Sequence, residues 1–283
     1  MTDFALGAVF AVLIWWFTTG IILWLDGLPT STFRWSMGAA TVLALASLVE
    51  MRASAFDATL AGAYTAFTCS VAIWGWLEMS FLMGYITGPR KQACRSPCSG
   101  WRHFVHGAET VIYNEIAIVA GAALVFTVTA GTPNRLALWT FLILWGMRLS
   151  AKLNLFLGVP NLGENMLPAH LAYLKGFLKK GPINLLFPCS VVASTMVIVL
   201  LAERYSVADG VFQKTSYALL TSLLALAVLE HWFMVIPLPS EKLWNWALKR
   251  QRSTCAAGLL QAARPGRLPT SPHVPASITD EPY

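Results

Sequence analysis

Charge is what this sequence has least of. Only 12% of its 283 residues are charged and 56% are hydrophobic, against about 25% and roughly 45–50% in an ordinary soluble domain. So few ionised side chains cannot clothe a globular surface of this size. That excludes a soluble enzyme and a disordered chain, and it argues against a nucleic-acid module despite the net charge of +6. Other signals are missing too. No Lys or Arg precedes Arg34, so the first apolar run lacks the basic n-region of a secretory signal and reads as a retained span. There is no convincing internal repeat, no heptad run, no GxxxxGK phosphate loop and no dinucleotide fingerprint.

What the sequence has instead is seven apolar stretches, at 4–25, 34–51, 58–86, 108–130, 136–157, 185–204 and 214–236. Each approaches or exceeds the roughly 20 residues that cross a hydrocarbon core. The expected fold is all-α, a polytopic integral membrane bundle of about seven transmembrane helices over residues 1–250. With the N-terminus outside and the C-terminus in the cytoplasm, 16 of the 20 basic residues fall on the inner side and 4 on the outer, as the positive-inside rule requires. Arg148 and Lys152 are counted there with the inner loops. Two inner loops, 87–107 and 158–184, carry most of the polarity. Residues 251–283 turn to Ala, Gly, Pro, Ser and Thr and read as a disordered cytoplasmic tail.

With charge so scarce, ionisable residues inside or beside spans need a reason. Glu78 in span three, Glu109 and Glu115 in span four, and Glu230 and His231 in span seven all fall near inner ends, with His103 and His106 just ahead of span four. If 103–115 is one helix, His103, His106, Glu109 and Tyr113 share a stripe at i, i+3 and i+4. Glu115 then points nearly the opposite way, toward Asn154 or Arg148. One reading is hydrogen bonding between helices by buried polar groups. A second is a transition-metal site, for which His106, Glu109, Glu230 and His231 are the candidate ligands. Its single His-x-x-Glu is reversed relative to the Glu-x-x-His of carboxylate bundles and has no second copy. A third is tetrapyrrole ligation by a histidine.

The Cys94-x3-Cys98 pair followed by His103-x2-His106 looks superficially like a zinc site. Only four residues separate the pairs, far fewer than in a zinc finger. In the second loop, Gly158 to His170 sets turn-forming Gly and Pro among Asn161, Glu164, Asn165 and His170. It reads either as a rigid connector or as a lip closing a pocket over Glu78, Glu109 and Glu230. Beyond it, near-helical spacing of Leu162, Met166, Leu167, Leu171, Leu174 and Phe177 predicts a short interfacial or re-entrant helix. Most of the 12 Trp residues lie near span ends, as interfacial belts require.

Four strings together resemble a known family. They are Phe81 to Lys91 (FLMGYITGPRK), His103 to Glu115, Asn154 to His170, and Leu229-Glu230-His231-Trp232-Phe233. The chain resembles, over about residues 5–250, the photosynthetic complex assembly protein family called PuhE, found in anoxygenic phototrophic bacteria. The resemblance implies an inner-membrane factor serving reaction-centre and light-harvesting complexes, or their bacteriochlorophyll supply. It brings no catalytic mechanism and no site residues.

The leading expectation is therefore a non-enzymatic assembly or regulatory factor. Its partners would be the lipid bilayer and reaction-centre, light-harvesting or pigment-synthesis proteins, with no nucleic acid. Its pocket residues would be Glu78, His103, His106, Glu109, Tyr113, Glu164, His170, Glu230 and His231. The ligand would be bacteriochlorophyll or a precursor, or a transition metal such as iron. The rival expectation is a metal-dependent membrane oxidoreductase acting on a tetrapyrrole, lipid or quinone through the same His/Glu set. No paired broken helices or repeat halves support a transporter.

Overall fold

The computed structural model describes residues 2–94, 98–163, 167–237 and 240–248. The tail read as disordered lies outside them, as does Glu164. The described fold is all-helical, with seven helices long and apolar enough to cross a membrane. These are α1 (Thr2–Asp26), α2 (Phe33–Ser54), α3 (Leu60–Leu82), α5 (Ile112–Thr129), α6 (Leu136–Leu157), α7 (Leu186–Val207) and α8 (Val211–Phe233), with a shorter α4 (Gly100–Glu109) ahead of α5. The chain is a multi-pass membrane protein.

Two boundaries differ from the sequence expectation. The third span was read to Ile86 because its apolar run continues, but α3 stops at Leu82. There the backbone N–H groups of Tyr85 and Ile86 both donate to Ser80 O, at 2.9 and 3.1 Å, and Gly84 adopts φ 80°, a conformation open to glycine at little cost. The fourth span was read from residue 108 as one continuous helix. Instead Thr110 closes α4, with its hydroxyl donating to Gly107 O at 2.5 Å, and α5 starts afresh at Ile112. α7 starts at Leu186 with Pro188 in its first turn, where a missing N–H costs nothing. Asn184 Oδ1 accepts from the N–H groups of Leu186 and Phe187 there, at 2.9 and 3.2 Å, and serves as its cap.

α3 and α8 form the interior of the bundle, with about half of each span buried, whereas α7 is almost entirely exposed. The main core joins Ala63, Ala66, Phe67, Trp74 and Leu77 of α3 to Phe141 of α6, Ile118 and Val125 of α5, and Leu219 and Leu223 of α8. In a bilayer this packing is not driven by escape from water. It rests on dispersion contacts and on small residues that let backbones approach. Gly7 of α1 is such a residue, since a Cβ there would meet Ala218 Cβ of α8 at 3.0 Å. The outward faces of α2 and α7 present Val42, Leu43, Leu45 and Val49, and Val192, Met196, Val199 and Leu200, to the acyl chains.

At the end opposite the basic loops, one side chain ties two connections together. Asn134, fully buried, donates from Nδ2 to the carbonyls of Ser54, Asp57 and Gly62 at 2.9–3.1 Å, and its Oδ1 accepts from Leu136 N–H at 3.1 Å. Removing the amide takes one donor from three carbonyls, of which Ser54 O keeps the Asp57 N–H, and takes the acceptor from Leu136 N–H. Each buried group left unsatisfied costs about 1–3 kcal/mol. Asn134→Ala is therefore expected to destabilise the protein by about 3 kcal/mol, read as a lower denaturation midpoint in detergent. Asn134→Asp, which keeps only the acceptor, is expected to cost as much.

Candidate functional site

The basic end of the bundle is where the sparse polar groups gather, and they sort into separate constellations. The deepest is a double ion pair between α6 and its neighbours. Arg148 grips Glu78 of α3 with both ends of its fork, Nη2 to Oε2 at 2.9 Å and Nε to Oε1 at 3.1 Å. One turn on, Lys152 Nζ meets Glu115 Oε1 of α5 at 2.7 Å and lies 5.2 Å from the centroid of the Phe81 ring. Arg148 and Lys152, counted from sequence as inner-loop residues, belong to α6 itself. Glu115 pairs with Lys152 rather than with Asn154 or Arg148.

Beside these pairs runs a chain of neutral polar groups. His231 of α8 is 2% exposed, and its Nδ1 donates to the Ala227 carbonyl at 2.8 Å. A carbonyl can only accept, so the neutral ring presents its Nε2 lone pair to the Ser150 hydroxyl at 2.9 Å. Ser150 also lies 2.9 Å from Ser190 of α7, and Asn154 Nδ2 donates to the Ser150 carbonyl at 2.9 Å. Glu230, the neighbouring acid, points the other way and accepts from Trp15 Nε1 of α1 at 2.8 Å. Past α8 the chain turns back onto α1. Trp16 donates to Leu243 O, Trp244 donates to Trp16 O, and Gly20 leaves room for the Trp246 ring.

The third constellation sits on α4. Its stripe of His103, His106 and Glu109 is real, and each member has its own partner: Cys98, Cys94 and Arg90, at 3.2, 3.4 and 2.7 Å. The break at Thr110 takes Tyr113 off the stripe and leaves it half exposed. A side-chain hydrogen bond with Cys98, more than anything else, holds the Cys94 thiol above its ordinary pKa.

The loop after α6 closes on itself. Val159 N–H donates to Lys179 O and Gly181 N–H to Val159 O, both at 3.1 Å, and between these ends Ala169–Phe177 forms a 3₁₀ helix where a short interfacial helix was expected. Leu171 and Leu174 seat this turn on Phe81. His170 Nε2 donates to Leu82 O at 2.6 Å, satisfying a carbonyl that the end of α3 leaves open. His170 also lines a cleft of about 420 Å³ together with Thr30, Phe33, Lys91 and Tyr173.

The expected pocket residues thus share one end of the bundle without converging on one point. Among the four named as metal ligands, His106 faces Cys94, Glu109 faces Arg90, Glu230 faces Trp15 and His231 faces Ser150. Among the described residues, the group whose donor atoms do come together is Cys94, Cys98 and His106, all within 4.8 Å of one another. Sequence reasoning set the cysteines aside on their spacing. It offered Arg148 as a partner for Glu115, where the structure pairs it with Glu78, and it missed Lys152 as a counterion, although two cations in an otherwise apolar run signal buried acids nearby.

Fold and polar end together define a seven-helix integral membrane protein in which three carboxylates near that end, Glu78, Glu109 and Glu115, are paired with cations of the same chain. Residues 1–255 match the family described as "Protein of unknown function (DUF3623)", and the chain belongs to that family. It is 37% identical over 268 residues to the "Uncharacterized 30.4 kDa protein in puhA 5'region" of Rhodobacter capsulatus, covering 93% of this chain and 96% of that protein. No solved structure matches the chain.

Proposed function

We propose that this protein is a non-catalytic factor of the inner membrane that assists assembly of photosynthetic reaction-centre and light-harvesting complexes, or delivery of bacteriochlorophyll to them. The observation that carries the reading is the relative encoded in the 5′ region of puhA, a photosynthesis gene. The resemblance of the four strings to the PuhE assembly family points the same way. The pairing of Glu78, Glu109 and Glu115 with cations supports a scaffold, because carboxylates held in ion pairs are spent on structure. The long apolar faces of α2 and α7 suit lateral contact with other membrane helices.

In this reading the basic end faces the cytoplasm. Leaving out Arg148 and Lys152, which belong to α6, the charge bias is still 14 against 4. His170 and its cleft are the place for a small ligand or pigment substituent. The test is deletion of the gene in its phototrophic host. Loss of reaction-centre and light-harvesting absorbance by several-fold, restored by the full-length chain, is the expected result, with tagged protein retaining reaction-centre or light-harvesting polypeptides. Normal pigment–protein levels in the deletion strain would sink the proposal.

A further inference from the structure

We propose that Cys94, Cys98 and His106, with His103 as fourth ligand, form a zinc site on the basic face. This assignment does not depend on the assembly role. The donor set is two thiols and two imidazoles, which select zinc among the common divalent ions. Zinc–sulfur and zinc–nitrogen bonds of 2.3 and 2.0–2.1 Å in a tetrahedron put S and N about 3.6 Å apart. The contacts between Cys94 Sγ and His106 Nδ1, at 3.4 Å, and between Cys98 Sγ and His103 Nδ1, at 3.2 Å, are close to that spacing. Cys94, Cys98 and His106 already have their donor atoms within 4.8 Å of one another.

The surroundings are built to hold these donors. His103 and His106 stand at i, i+3 on α4 and share a face. The His103 ring is stacked between Phe156 at the end of α6 and Phe177 of the 3₁₀ turn, with both centroids at 5.4 Å and interplanar angles of 25° and 27°. The gap that is too short for a zinc finger works here because Gly100, at φ 63°, turns the chain directly into α4. Cysteines and histidines then meet across that turn. Binding replaces two S–H bonds by two Zn–S bonds and releases two protons, while both imidazoles bind neutral. The metal would fasten Cys94 and Cys98 to α4 and, through His103, to the ends of α6 and the 3₁₀ turn.

The test uses the full-length chain in detergent, analysed for zinc as purified, then stripped and titrated with cobalt(II). One zinc per chain is expected, and cobalt should give the thiolate charge-transfer and visible bands of a tetrahedral site. Cys94→Ser and Cys98→Ser should abolish those bands. Cys189→Ser should keep them, and His103→Phe, which preserves the ring stack, should weaken binding at least about tenfold. In the wild-type chain, zinc should slow alkylation of Cys94 and Cys98 but not of exposed Cys189. A folded wild-type chain without cobalt bands, bands that survive Cys94→Ser, unslowed alkylation, or unchanged affinity in His103→Phe would each overturn the assignment.

Discussion

Glu78→Ala is expected to destabilise the bundle by about 3 kcal/mol, more than the double substitution Glu78→Ala/Arg148→Met, and Arg148→Met, which strands the more buried partner, should cost at least as much. Breaking a buried ion pair from one side strands the other charge, at about 3–5 kcal/mol, whereas replacing both partners by apolar groups is often neutral. The lower end applies because the Arg148 side chain keeps 35% of its exposure against 13% for Glu78, so the guanidinium can partly reach toward the interface. Arg148 also stands one turn from Lys152 on α6. Without Glu78, two cations face the single carboxylate of Glu115. Glu78→Ala should therefore cost more than Glu115→Ala, which leaves the bidentate pair whole. Denaturation in mixed micelles of the two single variants and the double reads the coupling directly. A purely additive cycle would show that Glu78 and Arg148 do not depend on each other.

That ion pair also marks where sequence reasoning stops. The seven spans were legible because twenty apolar residues in a row are a one-dimensional signal, and the helices repeat them to within a few residues. Their ends were less legible. The apolar run through Met83, Tyr85 and Ile86 hides the stop made by Gly84 and Ser80 O, and nothing in the pattern around Thr110 announces a break.

Polar partners were the least legible, because pairing is a property of neighbouring helices. Glu78, Glu115 and His231 stood out as costly residues in apolar runs, yet their partners lie on a helix 70, 37 and 81 residues away. Arg148 and Lys152 fall within the fifth apolar run but count with the inner-loop charges, and Arg148 pairs with Glu78 where Glu115 was its expected partner. The cysteines were discounted by a spacing rule for one kind of zinc fold, and the turn at Gly100 that brings them to His103 and His106 has no spacing signature.

Gly88→Ala is the other substitution with a large expected effect, and it tests how the basic end is fastened. Residues 87–90 run against the joint between α4 and α5. Asn114 N–H donates to Thr87 O at 3.0 Å, Arg90 N–H to Glu109 O at 3.3 Å, and the Arg90 and Glu109 side chains close the contact at 2.7 Å. Between them, a Cβ on Gly88 would overlap the Glu109 carbonyl oxygen and press on the backbone of Thr110. Overpacking against movable side chains costs about 1–3 kcal/mol. Here the obstacle is backbone, and Thr110 is 1% exposed and tied to Gly107, so about 3 kcal/mol or more is expected. Because His103 and His106 ride on α4, the same substitution should also speed alkylation of Cys94 and Cys98 by separating them from their histidines. Gly38→Ala is the matching control. A Cβ there meets nothing within 4 Å, and alanine in a helix should raise stability by about 0.5–1 kcal/mol. Opposite signs for the two variants in one thermal denaturation series are the expected result, and a Gly88→Ala midpoint equal to that of Gly38→Ala would mean that the 87–90 segment does not lie against α4.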